Sequence, residues 1–222
     1  MRELDLESWK RKDIFNLYYQ FDIPQVSLCT PLNVTRVYEF AKSKDLSFYF
    51  CMCHVFYTAL LKFEEFMIRS IKGKIVIEDG EFVNICANRE GEEIFKIITG
   101  RYYRDIEKFC NETKKKLENQ TTFTEPLPPG VRRSQVIAYI SCAPWFEFTH
   151  LTHPQDVQRN SFVPHVSFDK MKINEKGERW VNVSLQVNHA AIDGILIAKL
   201  LDEVAYGHIG RTDFDVPWED TS

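Results

Sequence analysis

Near the C-terminal end, the run Val187-Asn188-His189-Ala190-Ala191-Ile192-Asp193-Gly194 sets an imidazole and a carboxylate four residues apart. The apolar stretch before His189 reads as a strand, Asp193-Gly194 as a tight turn, and a helix begins at once. A polar residue that ends a buried strand is rigid yet open to a cavity, which is where scaffolds place reacting groups. Imidazole suits general-base work near neutral pH, because it is neutral there and can still hold a proton transiently. On these residues alone two readings stay open. One is a base acting beside a hydroxyl; the other is a core histidine with its hydrogen bonds satisfied and an aspartate capping the last helix.

Other chemistries find less support. The six cysteines stand at 29, 51, 53, 86, 110 and 142, and their one close pair, Cys51-x-Cys53, falls in a helical segment where the side chains point to different faces. No second pair or nearby histidine completes a zinc set, so no metal is expected and all six read as reduced thiols packed like small hydrophobes. A net charge of −4 leaves no excess of Lys and Arg to neutralise phosphates, which argues against a nucleic-acid partner. The basic runs Lys114-Lys115-Lys116 and Arg132-Arg133 read as solvated faces or loops. The N-terminal residues are charged throughout, and the longest uncharged apolar stretch, residues 46–61, falls short of the roughly 20 residues a bilayer demands. The expectation is a cytoplasmic protein with no membrane span.

The elements that must hold the histidine follow from periodicity. Residues 8–21 begin like a short capped helix carrying Trp9, Phe15 and Tyr18, and residues 25–32 alternate enough for a strand. Residues 34–43 place Val34, Val37, Tyr38 and Ala41 on one helical face after Asn33 as a cap, and residues 48–63 read as a central buried helix. Residues 74–83 read as two strands joined at Asp79-Gly80, a hairpin pattern. A strand at 94–99, a helix at 102–118 and an irregular loop at 121–130 with Pro126, Pro128 and Pro129 come next. Strands at 135–141, 162–168 and 180–187 follow, with Lys176-Gly177 turning between the last two, and a helix at 194–206 closes the pattern. Runs of strands with helices on both sides predict an α/β chain: an α+β two-layer sandwich with a mixed sheet and flanking helices, as one domain over residues 1–222.

Four segments then tie the chain to a family. His-x-x-x-Asp-Gly, at a strand end and opening the last helix, resembles the signature of the chloramphenicol acetyltransferase superfamily. Trp9-Lys10-Arg11-Lys12-Asp13-Ile14-Phe15 looks like that family's N-terminal Trp-x-Arg-(Lys/Arg)-Glu-x-Phe. Ser141-Cys142-Ala143-Pro144-Trp145 is similar to its Ser-x-x-Pro-Trp, and Phe162-Val163-Pro164-His165-Val166-Ser167 to its Phe-Ala-Pro-x-x-Thr strand. The likeness covers essentially the whole chain, with residues 72–93 as the main departure.

The resemblance implies roles position by position. His189 falls on the catalytic base, and Ser141 on the serine that donates to the oxyanion of the tetrahedral intermediate. Ser167 stands at a supporting threonine, and Asp193 and Arg11 match a buried ion pair that shapes the histidine loop. Tyr18 and Tyr102 fall on aromatics lining the chloramphenicol pocket, Leu127 replaces another, and Tyr139 stands where some members carry Asn. Glu147, His150 and His153 make the stretch after Trp145 more polar than the family would suggest. Acetyl-CoA is the implied cosubstrate, and transfer is direct within a ternary complex. A homotrimer is implied too, with active sites between subunits, so that His189 would face a neighbour's Tyr18 and Ser141. Two alternatives remain: the same chemistry on another small hydroxyl acceptor, and a non-catalytic trimeric binding protein of the same fold.

Overall fold

A strand that ends on a reacting group needs a sheet behind it, and this chain builds one of mixed direction. The computed structural model describes residues 1–155 and 161–206; the tail of the expected domain, residues 207–222, lies outside the described residues. In chain order the elements are β1 (Arg2–Glu3), α1 (Lys12–Tyr18), β2 (Gln25–Asn33), α2 (Thr35–Ser43), α3 (Phe48–Leu60), β3 (Ile68–Ile71) and β4 (Lys74–Ile77). Then come β5 (Phe82–Ala87), β6 (Lys96–Arg101), α4 (Ile106–Asn119), β7 (Val136–Cys142), β8 (His165–Phe168), β9 (Lys172–Ile173), β10 (Arg179–Asn188) and α5 (Gly194–Tyr206). The main sheet runs β2-β10-β8-β7-β5-β6, with β9 also paired to β10. β7 is parallel to β5 and β8; the other pairings are antiparallel.

Alternation along the strands sorts side chains between two faces. Val183, Leu185, Val166, Phe168, Ile140 and Ile85 pack into the core against α3, ten of whose thirteen residues are buried. Phe56 and Tyr49 of α3 meet the Phe168 ring at 5.3 and 6.1 Å, and the Tyr57 hydroxyl donates to Asn84 O at 2.8 Å. Ser47 caps this helix, its Oγ accepting the Phe50 N–H. Helices α2, α4 and α5 pack around α3. No helix among the described residues is long and apolar enough to cross a membrane. All six cysteines are free thiols, and Cys51 turns toward Cys110 of α4 with their sulfurs 3.7 Å apart.

The expected hairpin at Asp79-Gly80 does not form. β4 pairs backward with β3, while β5 crosses into the main sheet beside β6 and β7. The hairpin turn is Lys72-Gly73, both with positive φ (51° and 80°), the type I′ geometry that matches strand twist. Gly80 serves packing instead. A Cβ there would stand 2.6 Å from Leu61 Cδ2 and 2.8 Å from Ile137 Cγ1, so only glycine lets the chain pass between the two sheets.

A buried cation fastens the small sheet β1-β4-β3 to the large one. Arg69 of β3 is 3% exposed, and its guanidinium donates to the carbonyls of Phe66, Ile68, Ser134, Val136 and Ile137 at 2.7 to 3.3 Å. Five N–H groups thus find five acceptors. Burial pushes Arg69 down to about 10, which leaves it charged at neutral pH. Glu78, also buried, accepts from Arg132 at 2.9 Å and Ser134 at 2.8 Å. Arg132 is therefore more than a solvated face. Arg69→Met keeps the length and removes every donor. It should destabilise by about 3 kcal/mol or more, since each orphaned buried carbonyl costs about 1–3 kcal/mol. Urea unfolding at a fixed chain concentration checks this; an unchanged midpoint would refute the fastening role.

Candidate active site

β10 delivers His189 where its partner strand runs out. Asn188 is the last paired residue, opposite Gln25, and the His189 N–H then donates to Pro24 O at 2.7 Å. The chain turns at once: Asn188 O accepts the N–H groups of Ala191 and Ile192, and Asn188 Oδ1 accepts that of Ala190. The turn closes on the imidazole, whose Nδ1 lies 2.9 Å from Ile192 O. A carbonyl oxygen can only accept, so in the neutral ring Nδ1 carries the proton and Nε2 keeps its lone pair. That is the tautomer a general base needs.

Asp193 holds the far side of this turn. One carboxylate oxygen accepts the Leu196 N–H at 3.0 Å, capping α5, and the other pairs with Arg11, just before α1. The paired side chains are 18% and 19% exposed, so the pair is shielded rather than sealed. Burial alone would push Asp193 up, but the Arg11 guanidinium and the helix N–H groups outweigh it and hold the carboxyl below its usual range. With both oxygens engaged in this way, Asp193 is a brace. Helix α1 also brings Tyr18 to the imidazole, ring centroids 4.2 Å apart. The resemblance implied a Tyr18 reaching His189 from a neighbour; here it packs on the His189 of its own chain.

A second wall lies further along the sheet. Register places Ser141, Ser167 and Ser184 in one row across β7, β8 and β10. Ser141 Oγ and Ser167 Oγ are 2.5 Å apart, and Ser167 Oγ lies 3.2 Å from His153 Nε2. Ser141 opens onto a cavity of about 960 Å³ whose walls include Leu127, Tyr139, Trp145, His153 and His165. The His165 ring sits between Tyr139 (4.9 Å) and His153 (4.8 Å). Burial pushes His153 down, and burial together with the neighbouring His153 pushes His165 down to about 4, so both rings are uncharged at neutral pH. Among the described residues, no group of three or more His, Cys, Asp or Glu is placed to hold a metal ion.

The expected residues thus fall into two sets. His189, Asp193, Arg11 and Tyr18 gather at the end of β10; Ser141, Ser167, Tyr139 and Leu127 gather at the cavity. Tyr102 joins neither, since its ring lies 5.6 Å from that of His54 and its hydroxyl 2.9 Å from Thr58 Oγ1, against α3. His189 lies five residues beyond Ser184, about 17 Å at roughly 3.3 Å per residue, and Ser141 stands two strands further across. Within one chain the imidazole and the Ser141 hydroxyl cannot serve one reacting carbonyl. His165 was not singled out from the sequence, and His153 only as one of three polar residues after Trp145, with no direction given to its ring. His165 had a signal, two residues before Ser167 and so on the same strand face; His153 sits in an irregular stretch, its N–H held by Gln186 Oε1 at 2.7 Å, and had no periodicity to reveal its direction.

An imidazole held through Nδ1 by a backbone carbonyl, at a strand end of a mixed two-layer sandwich, is an arrangement that general-base chemistry can use. Comparison makes this specific. The family model described as chloramphenicol acetyltransferase matches residues 1–205. The chloramphenicol acetyltransferase of Vibrio anguillarum is 25% identical over 209 residues, spanning 91% of this chain and 92% of its own. That of Proteus mirabilis is 24% identical over 202 residues, spanning 90% and 91%. A solved chloramphenicol acetyltransferase shares the fold, with a TM-score of 0.78 at 21% identity over 93% of this chain and 99% of its own. The chain belongs to the chloramphenicol acetyltransferase family and is an acetyltransferase.

The brace at Asp193 yields a pH test. A carboxyl lowered on folding stabilises fully above its unfolded value, near 3.8, and loses that contribution as pH falls through the lower folded value. Arg11→Leu should cost about 1.5–3 kcal/mol at pH 7, the worth of a charged hydrogen bond. The gap to the parent protein should close below about pH 4. A gap that persists unchanged in acid, in denaturant melts, would show that the pair is not its source.

Proposed function

We propose that this protein transfers the acetyl group of acetyl-CoA to a hydroxyl of a small acceptor, chloramphenicol in the first instance, with His189 as base and Ser141 as oxyanion donor. The separation of these two residues across the sheet, Ser141 on β7 and His189 past the end of β10, carries the reading of the assembly: the site is completed between subunits of a homotrimer, His189 from one chain and Ser141 from the next. Its six free thiols suit a cytoplasmic enzyme.

The reaction follows from the groups. His189 Nε2 takes the proton of the acceptor hydroxyl as that oxygen attacks the thioester carbonyl carbon. Negative charge grows on the carbonyl oxygen, and the Ser141 O–H donates to it. The tetrahedral adduct collapses, the carbon–sulfur bond breaks, and the departing thiolate takes the proton from the imidazolium. An acetyl ester and CoA thiol leave. The Nδ1–H bond to Ile192 O holds the ring in one orientation through both proton transfers. No acyl-enzyme is needed, and Cys142 next to the serine is a poor nucleophile, since burial pushes its thiol up to about 12.

A second acceptor class is favoured by one observation. His153, His165 and Tyr139 give the Ser141 wall hydrogen-bonding edges, which suits a hydroxyl compound more polar than chloramphenicol. A panel of alcohols assayed by thiol release decides between the two.

His189→Ala should lower kcat by about 10²–10⁴-fold, the range for a general base, while calorimetry shows both substrates still binding. Near-normal turnover would discard the base assignment. Co-assembly tests the shared site: His189→Ala and Ser141→Ala chains, each almost inactive, should regain part of the activity once refolded together. A site contained within one chain predicts no recovery.

A further inference from the structure

We propose that His153 is a positioning residue that aims the Ser141 hydroxyl at the developing oxyanion by acting through Ser167. The proposal rests on the oxyanion role given to Ser141 above. Ser167 is 1% exposed and stands between two partners, Ser141 Oγ at 2.5 Å and His153 Nε2 at 3.2 Å.

Counting protons shows what His153 decides. Each serine carries one O–H. If His153 Nε2 is bare, the Ser167 proton goes to it, and the Ser141–Ser167 contact must then be filled by the Ser141 proton. Ser141 would be spent on its neighbour. If His153 Nε2 carries a proton, it donates to Ser167 Oγ, Ser167 donates to Ser141 Oγ, and the Ser141 O–H is released toward the cavity. The second arrangement makes Ser141 a donor to a reacting oxygen, so the line must run His153 to Ser167 to Ser141.

The surroundings fix His153 for this task. Its backbone N–H donates to Gln186 Oε1 at 2.7 Å, which anchors the irregular stretch after β7 to β10. Its ring packs 4.8 Å from His165. Burial keeps the imidazole neutral at pH 7, so its influence is exerted through the choice of tautomer. A hydroxyl pair alone could point either way; a protonated ring nitrogen takes one acceptor site of Ser167 and turns the Ser167 O–H toward Ser141.

Three variants and one spectrum test this. His153→Leu removes the donor and should lower kcat about tenfold, a fraction of the roughly 10²–10³-fold for losing an oxyanion donor outright, with acceptor KM within about twofold. His153→Gln places an amide nitrogen near the Nε2 position and should restore most of the rate. In a Ser167→Ala background, His153→Leu should add nothing further, because its effect passes through the missing hydroxyl. Nitrogen NMR of the labelled protein should show His153 protonated on Nε2 without any turnover being needed. A bare Nε2 there, an unchanged kcat in His153→Leu, or a loss that persists in the Ser167→Ala background would each overturn the proposal. Normal turnover in Ser141→Ala would instead overturn the oxyanion role itself, so the two failures are distinguishable.

Discussion

The pairing register of β10 is the constraint on which the rest of the structure depends. Nine consecutive pairs with β2 run from Trp180 opposite Asn33 to Asn188 opposite Gln25, and the strand meets β8 on its other side. A one-residue slip would exchange the two faces of the strand. Leu185 and Val187 would leave the core, Ser184 would leave its row with Ser167 and Ser141, and His189 would reach the turn from the wrong side. Core packing and site geometry are specified by the same hydrogen-bond ladder. The hydrophobic free energy of the core therefore also aligns the polar wall.

Shielded charge in this molecule serves its scaffold. Ionic groups sit at structural joints: Arg69 between two sheets, Glu78 beneath Arg132, and Arg11 against Asp193. The two walls carry imidazoles and hydroxyls. A formal charge that must be buried is better placed where it fastens the scaffold.

Much of this was legible in the sequence where the signal was local. His189, Asp193 and α5 sit within one strand–turn–helix punctuation, and α3 announced itself through apolar length. Partner choice was less accessible. Residues 74–83 carry a sound strand–turn–strand pattern, yet two positive φ angles at Lys72-Gly73 draw β4 to β3, and Gly80 is small because Leu61 and Ile137 press on it. Arg69 has the look of a surface residue; its burial depends on carbonyls that lie far away in the chain. Tyr102 follows the same logic, since Thr58 and His54 of α3 claim it. Family likeness named the candidates, and three-dimensional pairing decided which of them meet.

The place of β10 in the sheet also governs how the chain reaches this structure. It is the last strand among the described residues, yet it lies between β2 and β8, so neither can complete its pairing until residues 179–188 exist. On the ribosome, β2 waits for a partner some 150 positions downstream, a closure whose entropic toll slows folding. Until then two unpaired strand edges stand open to other nascent chains. A chain halted before residue 179 would lack the central staple of its own sheet, leaving sticky edges as its most prominent surface.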